Sequence, residues 1–246
     1  MKLANPELQV VVYSGDGDLF AIGGNHIIHA ARRNIDLKVV CVNNLVYAMT
    51  GGQTGPATPD HVITATAPYG TYEPAFNLPQ LMEAAGACYV ARWTTFHVRQ
   101  LARSMSEIFA RRGFCFIEVL SPCPTLYQRR NKMGDGLDAM KAYKQLSRTK
   151  HGAPTQEAAL TRDGEIVVGK FIDRQRPEYD EVMRAQLSDT LGDRYAEEVL
   201  AHGRRYGRPR AAVPAQDDAG RSHRPSVCSR EHVDRAQVFR RRIAGP

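Results

Sequence analysis

The chain has 246 residues, 43% hydrophobic and 24% charged, enough for one sizeable core and too few to require two. No apolar run approaches bilayer-spanning length and "MKLANPELQVVV" lacks a signal peptide's core and cleavage site, so a cytoplasmic chain is expected and a membrane partner is not. The net charge of +7 lies wholly in residues 201–246, with 11 Arg against 4 acids; residues 1–200 balance 22 against 22, and without a nucleic-acid-binding motif nucleic acid is an unlikely partner.

In chain order, "LQVVVYS" (8–14) is a β-branched run ending at glycine and reads as a buried strand. Residues 19–33 have apolar positions at helical spacing and stop at Arg32-Arg33-Asn34. "LKVVCVNN" (37–44) is a second buried strand, so the three form a βαβ unit with a parallel pair. The alternation continues with a helix over 78–86, a strand over 88–94, a helix over 98–113 and a strand over 114–122. A helical stretch at 134–147, a hairpin over 159–173 and a charged helix at 178–202 follow. The expected architecture is α/β with a parallel sheet: a core over 1–150, an arm over 151–203, and a low-order Arg-rich tail over 204–246. Five cysteines (Cys41, Cys88, Cys115, Cys123, Cys228), widely spaced and without a C-x-x-C pair, speak against a disulfide framework or a self-contained zinc site.

Gly15-Asp16-Gly17 ends the first strand, and residues 18–42 separate it from Asn43-Asn44. A helix of about 14 residues advances about 21 Å, and a returning strand of about six residues covers about 20 Å. The legs cancel, so both motifs belong at the carboxyl edge of one parallel sheet, where open α/β folds bind ligands. Asp16, the Asn44 amide and backbone carbonyls are hard oxygen donors suited to Mg²⁺. Gly15 and Gly17 let a phosphate approach the backbone, and a helix starting near Asp18 aims free N–H groups at it. Alone, "GDG" is as well read as an ordinary turn. The combination is a metal–diphosphate cradle without a Walker lysine.

GDG followed some 25 residues later by NN resembles the thiamine diphosphate motif. The longer text "GDGDLFAIGGNHIIHAARRNIDLKVVCVNNLVYAMTGGQTGPATP" is similar to the β subunit of 2-oxoacid:ferredoxin oxidoreductases. The likeness extends over about residues 1–200, and "GFCFIEVLSPCPTLYQRRNKMGDG" and "VGKFIDRQRPEY" most resemble the 2-oxoglutarate branch.

That resemblance implies Mg²⁺ held by the side chains of Asp16 and Asn44 and the backbone carbonyl of Val46. Gly15, Gly17 and Asp18 would line the diphosphate, and the loop holding Tyr47, Met49 and Thr50 would pass under the thiazolium ring. Leu45 and Ala48 stand where the family often has glycine or another small residue. The implied reaction is CoA-dependent oxidative decarboxylation of a 2-oxoacid, with electrons passed singly to ferredoxin. The carboxylate that activates the cofactor would come from an α subunit, with γ and δ in some members, so no catalytic residue is assigned to this chain. Cys123 in "LSPCPT" would be one of four ligands to a [4Fe-4S] cluster. The family's other three cysteines lie in an N-terminal segment that this sequence lacks, so the cluster is not expected here unless another chain supplies them. The alternatives are a catalytically silent thiamine-diphosphate-fold protein and a subunit of a cluster-independent decarboxylase. His26 and His29, three apart, are read as packing or polar contacts rather than as a metal pair, and His97 beside Trp93 as packing rather than as a substrate contact.

Overall fold

Six strands build the central sheet, five of them β-branched or aromatic runs and the sixth the short Ser147–Thr149. The computed structural model describes residues 1–195. Strand β1 (Val10–Gly15) leads into a π-helical turn (Asp18–Ile22), helix α1 (Gly24–Arg32) and strand β2 (Leu37–Asn43). The short strands β3 (Val46–Tyr47) and β4 (Gln53–Thr54) form a separate antiparallel pair. A long loop then reaches α2 (Leu78–Ala84), β5 (Tyr89–Thr94), α3 (Val98–Phe109) and β6 (Cys115–Leu120). A second π-helical turn (Pro124–Gln128) precedes the short α4 (Arg129–Asn131), α5 (Gly136–Leu146) and β7 (Ser147–Thr149). A 3₁₀ turn (Thr155–Ala158), β8 (Ile166–Asp173) and α6 (Tyr179–Leu191) complete the described part.

The sheet order is β1-β2-β6-β5-β8-β7. β1, β2, β6 and β5 run parallel in that order, β8 is antiparallel to β5, and β7 is parallel to β8. One sheet face packs Val39, Cys41, Val90 and Phe116 against Ile27 and Ala31 of α1 and Leu78 and Met82 of α2. The other packs Val40, Ala91, Trp93 and Ile117 against Ile108 of α3. Strands covered on both faces need no polar alternation, which is why β5 and β6 are buried at every position.

Two expectations are corrected. The helix expected over 19–33 is broken: Gly23 separates the π-helical turn from α1, and a Cβ there would run into the carbonyl of Asp18. The hairpin expected over 159–173 is a single strand, β8, whose partners are β5 and β7 rather than its own preceding residues. Two sequence-distant strands outweigh the Asp163-Gly164 turn. The segment expected as an arm therefore contributes a strand to the core sheet, and the described residues fall in one compact unit. Asn34 closes α1 in the left-handed conformation (φ 51°), with its side chain accepting from Phe114 N–H and donating to Pro177 O. The Arg-rich tail, Cys228 and the end of the helix expected at 178–202 lie outside the described residues. Among the described residues no helix is long and apolar enough to cross a membrane.

Candidate cofactor and metal site

β1 and β2 are paired in register from Val10↔Leu37 to Gly15↔Val42, so both strands end together and the residues that follow meet at one edge. Asp16 is 2% exposed, and its Oδ2 is buried without a hydrogen-bond partner. Burial, aided by the nearby charge of Glu118, pushes its carboxyl from 3.8 to about 7 against the pull of backbone amides at Asn44 and Gly17. A Cβ on Gly55 would lie 3.3 Å from this Oδ2 and 3.7 Å from the carbonyl carbon of Val46. Gly55 thus borders a small gap between a carboxylate and a carbonyl.

The turn after β2 supplies the remaining oxygens. Asn43 is fully buried; its Nδ2 donates to Glu118 Oε1 (2.8 Å) and its Oδ1 accepts from Leu45 N–H (2.9 Å). Leu45 has φ 68°, a region that costs a non-glycine residue about 1–2 kcal/mol. Its N–H is held by Asn43, and its carbonyl accepts from Thr58 Oγ1 at 2.5 Å. Asn44 Oδ1 accepts from Val46 N–H at 3.3 Å. The loop therefore takes a left-handed turn at Leu45, one of the two positions where the resemblance pointed to glycine or another small residue as common.

Tyr47 leans on Gly17: a Cβ on Gly17 would run into the Tyr47 ring. Burial and the charges of Asp16 and Asp18 raise the Tyr47 phenol. Asp18 is exposed, with Oδ2 accepting from Ser14 Oγ at 3.1 Å. Met49 is fully exposed and Thr50 bonds Gln53 at the tip between β3 and β4. The structure thus gathers Gly15, Asp16, Gly17, Asn44, Val46 and Tyr47 and leaves Met49 and Thr50 on the exposed rim. His26 and His29 are both exposed on α1. His97 is mostly buried, with Nδ1 2.8 Å from Thr94 Oγ1 and its ring beside Trp93 and Phe96.

Residues 1–119 match the family described as thiamine pyrophosphate enzyme, C-terminal TPP binding domain. The chain is 47% identical over 192 residues to the 2-oxoglutarate synthase subunit KorB of Methanothermobacter thermautotrophicus, covering 78% of this chain and 67% of that protein. It is 50% identical over 182 residues to the subunit of the same name from Methanocaldococcus jannaschii, covering 74% and 67%. The chain belongs to the β-subunit family of the 2-oxoacid:ferredoxin oxidoreductases. A solved 2-oxoglutarate:ferredoxin oxidoreductase from Magnetococcus marinus, with 2-oxoglutarate, coenzyme A and succinyl-CoA bound, superposes at a TM-score of 0.66 and 28% identity over 81% of this chain and 70% of that one. An oxidoreductase subunit with a thiamine-diphosphate-binding domain accounts for the sheet edge described above.

The buried, unpartnered Asp16 Oδ2 and the gap beside Gly55 fit a hard cation ligated by oxygen. A four-thiolate cluster fits less well. Cys123 follows β6 and lines a cavity of about 100 Å³ with Asn44, Leu45, Tyr127, Met133 and Tyr143. Cys41, Cys88 and Cys115 are buried in or beside the sheet strands. Among the described residues no three His, Cys, Asp or Glu side chains group as a metal site. Gly55, Thr58, Arg92 and Glu118 are site residues that the sequence reading did not single out. The acid in "FIEVL" and the base in "VARWT", each in mid-strand among apolar residues, were the signals available.

Proposed function

We propose that this chain is the thiamine diphosphate-binding β subunit of a cytoplasmic 2-oxoglutarate:ferredoxin oxidoreductase. With an α subunit, such an enzyme oxidatively decarboxylates 2-oxoglutarate, transfers the acyl group to coenzyme A and passes the electrons to ferredoxin. The observation that carries this reading is the buried, unpartnered Asp16 at the shared end of β1 and β2, in a chain whose relatives bear that activity in their names.

When bound, thiamine diphosphate supplies a nucleophilic carbon for the 2-oxo group and a sink for the electrons left when CO₂ departs. The chain's own work is binding and orientation. Asp16 would contribute a carboxylate, and Asn44 and the Val46 carbonyl would contribute neutral oxygens, a donor set that suits Mg²⁺. Burial favours a proton on Asp16 that a bound cation would displace. Gly15 would leave the backbone open to the diphosphate, whereas the Tyr47 ring packs against the face of Gly17. Asp18, at the exposed rim, would line the diphosphate. Met49 and Thr50, at the tip of the β3–β4 turn, are placed to meet the α subunit or the substrate rather than the cation.

The test is reconstitution. The chain is co-expressed with its cognate α subunit and assayed for ferredoxin reduction that requires both 2-oxoglutarate and CoA. Reduction with 2-oxoglutarate but not pyruvate supports the substrate assignment. The reverse preference overturns it.

A further inference from the structure

Glu118 and Arg92 form an ion pair, Nε to Oε2 2.6 Å, with both side chains at zero exposure. They are direct neighbours across β6 and β5. Each lies two residues beyond a member of the apolar core, Phe116 and Val90. Removing two charges from water is seldom repaid in stability, and apolar replacements of similar volume often serve as well. Here Arg92 also keeps Nη2 buried without a partner, while Nη1 donates to Ala158 O. The pair is poorly explained as a stabiliser of the sheet.

It does impose an orientation. A carboxylate only accepts, so Glu118 Oε1 takes the Nδ2 end of Asn43 (2.8 Å) and leaves Oδ1 facing Leu45 N–H (2.9 Å), a group that only donates. Leu45 is the left-handed residue of the turn (φ 68°), and it stands between Asn44 and Val46. We propose that Glu118, anchored by Arg92, is a positioning residue for the metal: through Asn43 it fixes the left-handed peptide at Leu45 from which both oxygen ligands beside Asp16 are presented. This rests on the reading of Asp16, Asn44 and Val46 as the Mg²⁺ site.

The hydrogen-bond polarity makes a specific test. In Glu118→Gln the new amide keeps its oxygen toward Arg92 and so turns its NH₂ toward Asn43. Asn43 must then flip and set its own NH₂ against Leu45 N–H, which breaks the turn. Adding Asn43→Asp restores two acceptors, one for the new amide and one for Leu45.

The 246-residue chain and both variants are titrated with thiamine diphosphate in Mg²⁺ and in chelator, and amide exchange at Leu45 is followed without metal. Glu118→Gln is expected to weaken Mg²⁺-dependent binding at least tenfold and speed Leu45 exchange at least tenfold. The double variant returns both to within about threefold of wild type. Should Glu118→Gln not fold, Asn43→Ala, which deletes the link and keeps the ion pair, is expected to show the same two losses. Wild-type binding in a folded Glu118→Gln or Asn43→Ala chain overturns the positioning role while leaving the metal reading intact. A double variant that folds but recovers neither quantity also overturns it. Wild-type chain that binds equally in chelator overturns the metal reading itself, and this inference with it.

Discussion

Gly55 closes over the carboxylate of Asp16, leaving 3.3 Å between Oδ2 and the point a Cβ would occupy. That spacing is tighter than ordinary van der Waals contact, and the same point lies 3.7 Å from the carbonyl carbon of Val46. Gly55→Ala should therefore crowd the cation gap without disturbing the sheet. Calorimetry is expected to show Mg²⁺–thiamine diphosphate binding at least tenfold weaker. The unfolding midpoint of the metal-free chain should move little, since Gly55 has an ordinary backbone conformation.

Asp16 makes the metal-free chain sensitive to pH. Its carboxyl is raised from 3.8 to about 7, chiefly by burial, so the folded state holds a proton that the unfolded chain releases. This contribution to stability is complete below about pH 4 and is lost as pH rises through 7, a change of up to about 4 kcal/mol. Urea unfolding of wild type and Asp16→Asn between pH 5 and 8 measures it. Wild type should lose stability relative to the variant as pH increases; parallel curves would contradict the assignment.

The same proton links metal binding to pH. A cation held by Asp16 would displace it below pH 7, so binding should release close to one proton at pH 6 and almost none at pH 8. Calorimetry in two buffers of different ionisation enthalpy reads this directly. Equal proton release at both pH values would show that the group being loaded is not Asp16.

Gly113 controls the opposite end of the sheet. Its φ of 89° disfavours any side chain, and a Cβ would meet Asn34 Oδ1 at 2.7 Å and Cys88 Sγ at 3.0 Å. Asn34 is held by Phe114 N–H and Pro177 O, so it has little room to retreat. Gly113→Ala is expected to cost about 2 kcal/mol or more in chemical denaturation. Thiamine diphosphate affinity of the fraction that remains folded should be unchanged, because the site lies at the other edge.

Much of this arrangement was legible in the sequence because it follows from element lengths. The distance from Gly17 to Asn43 accommodates one helix out and one strand back, and the β1–β2 register delivers both motifs to one edge. Turn and break chemistry was read less well. Gly23-Gly24 sits inside an otherwise helical period, and residues 159–173 carry a hairpin pattern although the strand they form finds its partners in β5 and β7. The Glu118–Arg92 pair was missed for a different reason. Each residue looks like an isolated polar interruption in its own strand, and only the β5–β6 register sets one beside the other. Gly55 had no sequence signal, since its role comes from a loop folding back over Asp16.

The central claim is that Asp16 holds the cation that binds the cofactor. Its most direct test is a calorimetric titration of wild type and Asp16→Asn with thiamine diphosphate, with Mg²⁺ and with chelator. The account predicts one saturable, Mg²⁺-dependent site in wild type and none in the variant, with the variant still folded. Unchanged affinity in Asp16→Asn, or wild-type binding indifferent to chelator, would contradict it.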